Sequence, residues 1–181
     1  MVKIMNIKLH ENIFELLISK NEISEIVDHI AYKINSSKIK DPLIIAVLNG
    51  SFIFAADIMR KINIPNAEIS FVKLSSYEGT KSTGKVQELI GLREDISSRN
   101  ILLLEDIIDT GITLEKIIDS LKHKKVNNIK IATLLYKPDA YKKDIKIDYI
   151  GKEIPNHFVV GYGLDYDELG RNLPQIYKLK K

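Results

Sequence analysis

The sequence predicts an α/β fold in which a mostly parallel central sheet is flanked by helices. Two aliphatic runs, residues 43–48 and 101–104, are typical of strands that are buried on both faces of a parallel sheet. Each run is followed by a short turn and then by apolar residues at helical spacing, as in residues 114–121. This order places the turns at the carboxyl ends of the strands, where α/β proteins bind ligands.

The chain length predicts one domain with a small lobe made from the two termini. With 181 residues, of which 45% are hydrophobic, the chain is long enough to form one packed core. We expect this core to span about residues 35–150, and the lobe, or hood, to combine about residues 1–20 and 151–181.

The composition excludes several kinds of site. There is no cysteine, which excludes disulfides, thiolate catalysis and sulfur-bound metal. The net charge of +3 is small and the basic residues are dispersed, so we expect no nucleic-acid partner. The longest aliphatic run, residues 43–48, is far shorter than the ~20 residues of a membrane helix, and the amino terminus lacks the apolar stretch of a signal peptide. We therefore expect a cytoplasmic protein without a membrane partner.

The remaining elements follow from periodicity and turn residues. Residues 13–18 predict a first strand, and Ser19 with Glu22 forms a capping box, so a helix is expected to begin near Lys20. His29 lies among the apolar positions of this helix and is taken as structural. Further strands, including both arms of a hairpin, are predicted at residues 69–74, 86–92, 129–136 and 145–150.

The most informative stretch is residues 101–114. Its aliphatic strand leads into an acidic turn with Glu105, Asp106 and Asp109, and a small hydroxylated loop, residues 110–113, precedes the helix. At a helix start the free backbone N–H groups and the helix dipole attract a phosphate. The carboxylates repel a phosphate but suit sugar hydroxyls or Mg²⁺. Phosphorylated ribose is the simplest ligand that needs both, although a solvated acidic turn is the alternative.

A second loop, Asn49-Gly50-Ser51, repeats this plan after the strand at residues 43–48. Asn49 and Ser51 can offer backbone and side-chain donors to a second anionic group, and Gly50 relieves crowding. Many α/β proteins turn this way, so the pattern alone does not distinguish a binding loop from an ordinary turn.

Residues 104–113 resemble the phosphoribosyl-diphosphate signature of the type I phosphoribosyltransferases. The variant Glu-Asp-Ile-Ile-Asp-Thr-Gly is similar to the purine-salvage branch, the hypoxanthine-guanine phosphoribosyltransferases, and the resemblance covers residues 17–179. It implies the type I phosphoribosyltransferase fold and a Mg²⁺-dependent transfer of the 5-phosphoribosyl group from 5-phosphoribosyl 1-diphosphate to a 6-oxopurine. Hypoxanthine or guanine would give IMP or GMP plus diphosphate. The resemblance also implies a homodimer or homotetramer.

The resemblance implies a role for each loop of the expected site. Glu105 and Asp106 would bind ribose and, with Asp165, Mg²⁺, while Asp109 would be the general base. The other implied ligands are Asp109, Thr110, Gly111, Ile112 and Thr113 for the 5-phosphate, Leu48, Asn49, Gly50 and Arg171 for the diphosphate, and Lys137, Phe158 and Val159 for the base. Taken alone, a lysine before a proline turn is usually solvated, and an aromatic residue in an apolar run is usually core.

The long polar segment at residues 75–85 is a candidate for a mobile lid. In the resembling enzymes the matching loop closes over the reaction centre, with a Ser-Tyr pair that matches Ser76 and Tyr77. Closure would exclude water, which can capture a cationic sugar intermediate. A solvated hairpin connection is the alternative.

Three positions depart from the family pattern. Ile112 stands where relatives often carry a longer or charged residue, and the loop works mainly through its backbone. Asn49 stands where some relatives have lysine or arginine, so diphosphate affinity is expected to depend more on Mg²⁺ and Arg171. Gly170 is expected to loosen the placement of that arginine.

Two other functions remain open on the sequence. The same fold could act on another base, such as xanthine or a pyrimidine, although Lys137 and Phe158-Val159 favour a 6-oxopurine. A nucleotide-sensing RNA-binding regulator is the second alternative, and it requires a basic face. A dinucleotide-binding oxidoreductase is excluded, because no Gly-x-Gly-x-x-Gly follows a strand.

Overall fold

The computed structural model describes residues 6–75, 87–90 and 95–180. The helices are α1 (Lys20–Ser36), α2 (Phe52–Lys61) and α3 (Ile112–His123). The strands are β1 (Asn6–Leu9), β2 (Asn12–Ile18), β3 (Pro42–Leu48), β4 (Glu68–Ser75), β5 (Gln87–Ile90), β6 (Asn100–Ile108), β7 (Asn128–Tyr136), β8 (Tyr149–Glu153), β9 (Val159–Val160) and β10 (Ile176–Leu179). The predicted lid pair, Ser76 and Tyr77, lies outside the described residues.

A six-stranded central sheet confirms the predicted α/β fold. Its strand order is β5-β4-β3-β6-β7-β8, and all neighbours are parallel except the edge strand β5, which is antiparallel to β4. Helices α1 and α2 cover one face and α3 covers the other. The buried side chains of β3 alternate accordingly, since Ile44 and Ala46 pack under α1 and α2 while Leu43 and Ile45 pack under α3.

A four-stranded antiparallel sheet forms the hood. Its order is β1-β2-β10-β9, so both ends of the chain contribute to it. Phe14, Val160 and Tyr177 form its core and are at most 2% exposed. The hood is therefore confirmed as part of the fold, while its bounds at about residues 1–20 and 151–181 stay a prediction.

Most predicted elements lie within two residues of the observed ones. Helix α1 begins at Lys20, as the capping box predicts, and the Ser19 hydroxyl oxygen accepts a hydrogen bond from the Glu22 amide at 3.2 Å. Within the described parts of the chain, no helix is long and apolar enough to cross a membrane.

The strand predicted at residues 145–150 is observed at Tyr149–Glu153, so its bounds are wrong. Sheet pairing begins only at Tyr149, which pairs with Ala132 of β7, and β8 continues to Glu153. Ile145 and Ile147 alternate like strand residues, but they pack from an irregular segment onto the core under α3. Alternating apolar residues report burial on one face, and here the burial occurs without sheet hydrogen bonds.

Candidate active site

The carboxyl ends of β3, β6 and β7 meet at one edge of the central sheet, because these parallel strands are neighbours. The loop at residues 49–51 follows β3, the loop at residues 109–111 follows β6, and Lys137 follows β7. The C-terminal segment reaches the same edge, since a Cβ atom on Gly163 would lie 2.0 Å from the carbonyl oxygen of Gly50. The fold thus gathers the predicted loops from four parts of the chain.

The acidic stretch belongs mostly to the sheet. Strand β6 continues through Ile108, and Glu105 pairs with Thr133 of β7. The predicted acidic turn is therefore wrong for Glu105 and Asp106, and only Asp109 lies beyond the strand. The backbone pairing extends because the β-branched residues Ile107 and Ile108 suit a half-buried strand.

Burial raises the pKa values of both Glu105 and Asp106. Glu105 is 6% exposed, and burial raises its pKa well above the usual range, with a further increase from the charge of Asp106. Burial also raises the pKa of Asp106 to about 6, although the Ile107 amide donates to its Oδ1 at 2.9 Å and Arg171 attracts its charge. A cation or several hydroxyl donors at this position would favour the charged forms.

Asp106 lies directly against the loop after β3. A Cβ atom on Gly50 would lie 1.7 Å from Asp106 Oδ2, so only glycine leaves room for the carboxylate. The Leu48–Asn49 peptide that precedes this glycine is cis.

Ser51 does not fulfil its predicted role as an anion donor. It is fully buried, and its hydroxyl donates to the Val47 carbonyl at 2.6 Å. Its backbone N–H group donates to the same carbonyl at 3.2 Å. Both donors of Ser51 therefore hold the end of β3 to the start of α2.

A pocket of about 100 Å³ lies at the start of α3. It is lined by residues 105 and 107–114, which include the whole predicted phosphate loop. Gly111 adopts a left-handed backbone conformation with φ 82°, and a Cβ atom there would lie 2.5 Å from the Tyr141 ring. The amides of the first helical turn have no partner within the helix and can serve an anion in this pocket.

Asp109 and Lys137 form an ion pair across the ends of β6 and β7. Lys137 Nζ lies 2.6 Å from Asp109 Oδ2. The lysine side chain is 8% exposed and that of the aspartate 43%. The expectation of a solvated lysine before Pro138 is thus wrong, because Lys137 is buried and charge-paired.

Arg171 is held by the acidic residues of its own segment. Its Nη2 lies 2.8 Å from Asp165 Oδ1, and its Nη1 donates to the Gly163 carbonyl at 2.9 Å. Its Nε atom is buried and has no partner among the described residues. Gly163, whose carbonyl Arg171 contacts, lies against Gly50, the same glycine that Asp106 Oδ2 approaches. The charge of Arg171 lowers the pKa of Asp106 and that of Asp165 raises it.

The comparison with protein families matches residues 17–167 to the phosphoribosyl transferase domain. The chain belongs to the phosphoribosyltransferase family. It is 44% identical over 174 residues to a hypoxanthine-guanine phosphoribosyltransferase of Staphylococcus epidermidis, covering 95% of this chain and 97% of that protein. A crystal structure of a hypoxanthine phosphoribosyltransferase from Staphylococcus aureus is similar, with a TM-score of 0.84, 41% identity, and coverage of 92% of this chain and 91% of that one.

A further similar structure is a hypoxanthine-guanine phosphoribosyltransferase from Bacillus anthracis. Its TM-score is 0.84 at 40% identity, and the match covers 91% of this chain and 98% of that one. These findings confirm the family and the fold that the motif at residues 104–113 predicts. The assignment of roles to individual residues stays a prediction.

The predicted base segment of this phosphoribosyltransferase lies at the hood. Phe158 is 48% exposed, and its ring contacts the edge of Tyr166, with centroids 5.7 Å apart. Phe14 lies behind it at 6.3 Å. Val159 is buried and pairs with Lys178 of β10, which fixes the backbone directly after the exposed ring.

The residues that connect these segments carry no functional signal in the sequence. Tyr162 donates its hydroxyl hydrogen to Asp57 of α2 at 2.5 Å, which joins the C-terminal segment to the helix after the Gly50 loop. Tyr166 supports the ring of Phe158 through an edge-on contact. No local pattern could have found the Tyr162 contact, because its partners are 105 residues apart.

Within residues 6–75, 87–90 and 95–180, no group of three or more acidic or histidine side chains forms a ready metal site. Asp106 and Asp165 nevertheless offer oxygen ligands close to the Gly50 loop. Magnesium is usually held by one or two carboxylates together with substrate phosphates. The residues present therefore fit an ion that arrives with a diphosphate.

Proposed function

We propose that this phosphoribosyltransferase transfers the 5-phosphoribosyl group from 5-phosphoribosyl 1-diphosphate to a 6-oxopurine, hypoxanthine or guanine. The products are IMP or GMP and diphosphate. One observation carries the proposal. The pocket at the start of α3 lies next to the Asp109–Lys137 ion pair, at the ends of β6 and β7. The relatives named for hypoxanthine and guanine support the same choice of base.

The sugar phosphate would be bound by complementary groups of one strand and one loop. Backbone amides of residues 110–113 would bind the 5-phosphate, and the carboxylates of Glu105 and Asp106 would accept hydrogen bonds from the ribose hydroxyls. The pocket of about 100 Å³ has room for a phosphate group and little more. This fit supports a terminal phosphate rather than a larger group in the loop.

The diphosphate would lie between the Gly50 loop and Arg171. Asp106 and Asp165 would hold Mg²⁺ with the diphosphate oxygens, and the ion would supply electrostatic stabilisation of the leaving group. Arg171 would exchange its contact with Asp165 for one with the diphosphate, and the Asp165 carboxylate would then be free for the metal. Leu48, Asn49 and Gly50 would present backbone groups to the same diphosphate.

The base would stack on the exposed ring of Phe158 and meet the backbone of Val159. Lys137 would donate a hydrogen bond to the oxygen at carbon 6. A base nitrogen then attacks C1 of the sugar as the bond to diphosphate breaks, and positive charge develops on the sugar as in glycoside cleavage. Asp109 would take the proton that the base loses, which leaves a neutral nucleotide base and a protonated carboxyl group.

The general base is tested by the variant Asp109→Asn, which keeps the side-chain shape but cannot take up the proton. We expect turnover to fall by about 10²–10⁴-fold with little change in the affinity for the sugar diphosphate. Unchanged turnover, measured by nucleotide formation at saturating substrates, would remove Asp109 from this role.

The overall activity is tested by incubating the purified protein with 5-phosphoribosyl 1-diphosphate, Mg²⁺ and each base in turn. We expect nucleotide from hypoxanthine and guanine and a loss of activity when Mg²⁺ is chelated. Nucleotide formed only from xanthine or a pyrimidine would replace the proposed base, and no nucleotide from any base would reject the proposed reaction.

The proposal includes a cytoplasmic, homodimeric or homotetrameric enzyme. The oligomer is supported by two apolar side chains on one face of β4, Ile69 and Phe71, which are 36% and 38% exposed. The cytoplasmic location is checked by cell fractionation. No nucleic acid or membrane takes part in the proposed reaction.

A further inference from the structure

We propose that Lys137 positions the carboxylate of Asp109 for proton transfer, in addition to meeting the base. The inference rests on the proposed function, because it concerns how the general base of that reaction is held. It predicts that Lys137 affects the rate of the chemical step even for a base that has no oxygen at carbon 6.

The backbones that carry the two side chains are fixed to each other. The last pair of the β6–β7 ladder joins Ile108 to Tyr136, directly before Asp109 and Lys137. The Lys137 amide continues this contact by donating to the Ile108 carbonyl at 3.0 Å. Its own carbonyl accepts from the Tyr141 amide at 3.1 Å, which fixes the turn on the far side. The two residues therefore have little freedom to separate.

The difference in burial decides which side chain positions the other. The Lys137 side chain is 8% exposed, and Asp109 is its only ion-pair partner in the described part of the chain. An ammonium buried to this extent needs a partner, because an unpaired buried charge is strongly unfavourable. Asp109 is 43% exposed and has room for other rotamers, so the charge-assisted bond of 2.6 Å selects one orientation.

The pair can act on a base without separating. An ammonium group has three N–H donors, and Asp109 Oδ2 uses one of them, so another can reach the oxygen at carbon 6. Oδ1 of Asp109 makes no hydrogen bond with the residues that the structure describes, which leaves it available for the proton of the base. The carbonyl oxygen of the base would accept a hydrogen bond from Lys137, and the neighbouring N–H of the base would donate one to Asp109. The ion pair fixes the distance between this donor and this acceptor.

The experiment measures the chemical step in a single turnover with two bases, hypoxanthine and unsubstituted purine, which has only hydrogen at carbon 6. The variant Lys137→Met removes the ammonium and keeps the length of the side chain. We expect its rate to fall about tenfold to a hundredfold with both bases, since small displacements of a catalytic group have effects of this size. The affinity should fall only for hypoxanthine.

Two controls separate positioning from a general structural effect. Lys130→Met breaks a similar lysine–aspartate pair on β7, the strand that Lys137 follows. Its Nζ lies 2.9 Å from Asp148, and the variant should leave the rate unchanged. In a double-mutant cycle, Lys137→Met should have no further effect on the rate in the Asp109→Asn background, because it acts through that carboxylate. Lys137→Gln retains an N–H donor and should recover part of the rate; it also serves if the methionine variant does not fold.

The outcomes distinguish the inference from the function on which it rests. If the unaltered protein forms no nucleotide from either base, the proposed function fails. If it is active but Lys137→Met and Lys137→Gln lower only the affinity for hypoxanthine, Lys137 contacts the base alone and the positioning role is rejected. The positioning role would also be rejected if Lys137→Met lowers the rate by the same factor in the unaltered protein and in the Asp109→Asn background.

Discussion

At the scale of single residues, the site combines groups whose properties depend on burial. Phe158 is a large aromatic residue that remains 48% exposed even though Phe14 and Tyr166 support it. An exposed ring held by two others suits stacking on a flat ligand. The sequence alone favoured a core position for this residue, because an apolar run does not reveal which of its side chains faces outward.

The stacking role predicts a selective effect of Phe158→Ala. The Michaelis constant for hypoxanthine should rise about tenfold or more, since stacking on an aromatic ring contributes about 1–3 kcal/mol. The constant for 5-phosphoribosyl 1-diphosphate should change little. Tyr32→Ala, at a ring that is 69% exposed on α1, is the matched control. Equal increases for both substrates would make Phe158 a structural residue.

The raised pKa of Asp106 predicts a pH dependence of ligand binding. Because this pKa is about 6 without ligand, Asp106 takes up a proton as the pH falls below that value. The affinity for Mg²⁺ with 5-phosphoribosyl 1-diphosphate should therefore decrease below about pH 6, as measured by calorimetry. Affinity that stays constant between pH 5 and pH 8 would contradict the assignment.

The raised pKa of Asp106 also determines how the stability of the fold changes with pH. In the unfolded chain Asp106 has the ordinary pKa of 3.8, so it loses its proton at a lower pH than it does in the fold. Between about pH 4 and 6 the folded state therefore binds the proton more strongly, and the ligand-free fold loses stability as the pH rises through this range. Asp106→Asn resembles the protonated form and should be more stable than the unaltered protein at pH 8. This difference in thermal midpoint should shrink toward pH 4. The loss of the Asp106 charge also removes a repulsion that raises the pKa of Glu105, which acts in the same direction.

At the scale of elements, the order of strand, loop and helix was predictable and its exact extent was not. The aliphatic runs of β3 and β6 and the capping box of α1 identified these elements. The end of β6 was placed too early, because Glu105 and Asp106 look like turn residues and only the pairing with β7 shows that they belong to the sheet. Local patterns do not report such long-range pairing.

The candidate site was likewise predictable from the sequence only in part. The loop residues 109–113 and the Gly50 loop followed from the sequence, because each combines small or acidic residues with a helix start. The contact of Asp109 with Lys137 joins residues 28 positions apart and could not be derived from spacing. The buried hydroxyl of Ser51 is a similar case, since its partner Val47 is part of the preceding strand.

The loop before α3 is tested as an element by Gly111→Ala. The new side chain would meet the Tyr141 ring at 2.5 Å in a left-handed conformation, so the loop must shift. We expect a loss of about 1–3 kcal/mol in stability and a larger loss of affinity for 5-phosphoribosyl 1-diphosphate.

The control for that variant is Ile118→Val, which shortens a buried side chain of the same helix. It should cost about 0.5–1.5 kcal/mol in stability without weakening the binding of the sugar diphosphate. If both variants weaken that binding in proportion to their loss of stability, the loop has no specific role.

At the scale of the whole molecule, the central sheet and the hood together form the site. The sheet carries the groups that are proposed to bind the sugar phosphate. The proposed base and diphosphate ligands Phe158, Val159 and Arg171 come from the segment that also forms the hood. The Tyr162–Asp57 hydrogen bond connects the two parts beside the Gly50 loop. Family membership and this architecture were predictable because the motif at residues 104–113 resembles the family signature, and the family model matches residues 17–167.

The proposed oligomer predicts that the exposed face of β4 is buried between copies. Sedimentation should give a mass two or four times that of the 20.6 kDa chain. Phe71→Asp should shift the distribution toward the monomer, because a charge in an apolar interface is unfavourable. Tyr32→Asp, at an exposed aromatic residue on α1, should leave the mass unchanged. A monomer at all concentrations would refute this part of the proposal.

We propose that the end of β6 holds a ribose by its hydroxyls while the start of α3 holds its phosphate. A crystal structure with bound IMP tests it most directly. We predict the 5-phosphate within hydrogen-bonding distance of the amides of residues 110–113, with the ribose hydroxyls on Glu105 and Asp106. A phosphate bound elsewhere on the protein, with the pocket at Gly111 left to solvent, would contradict the account.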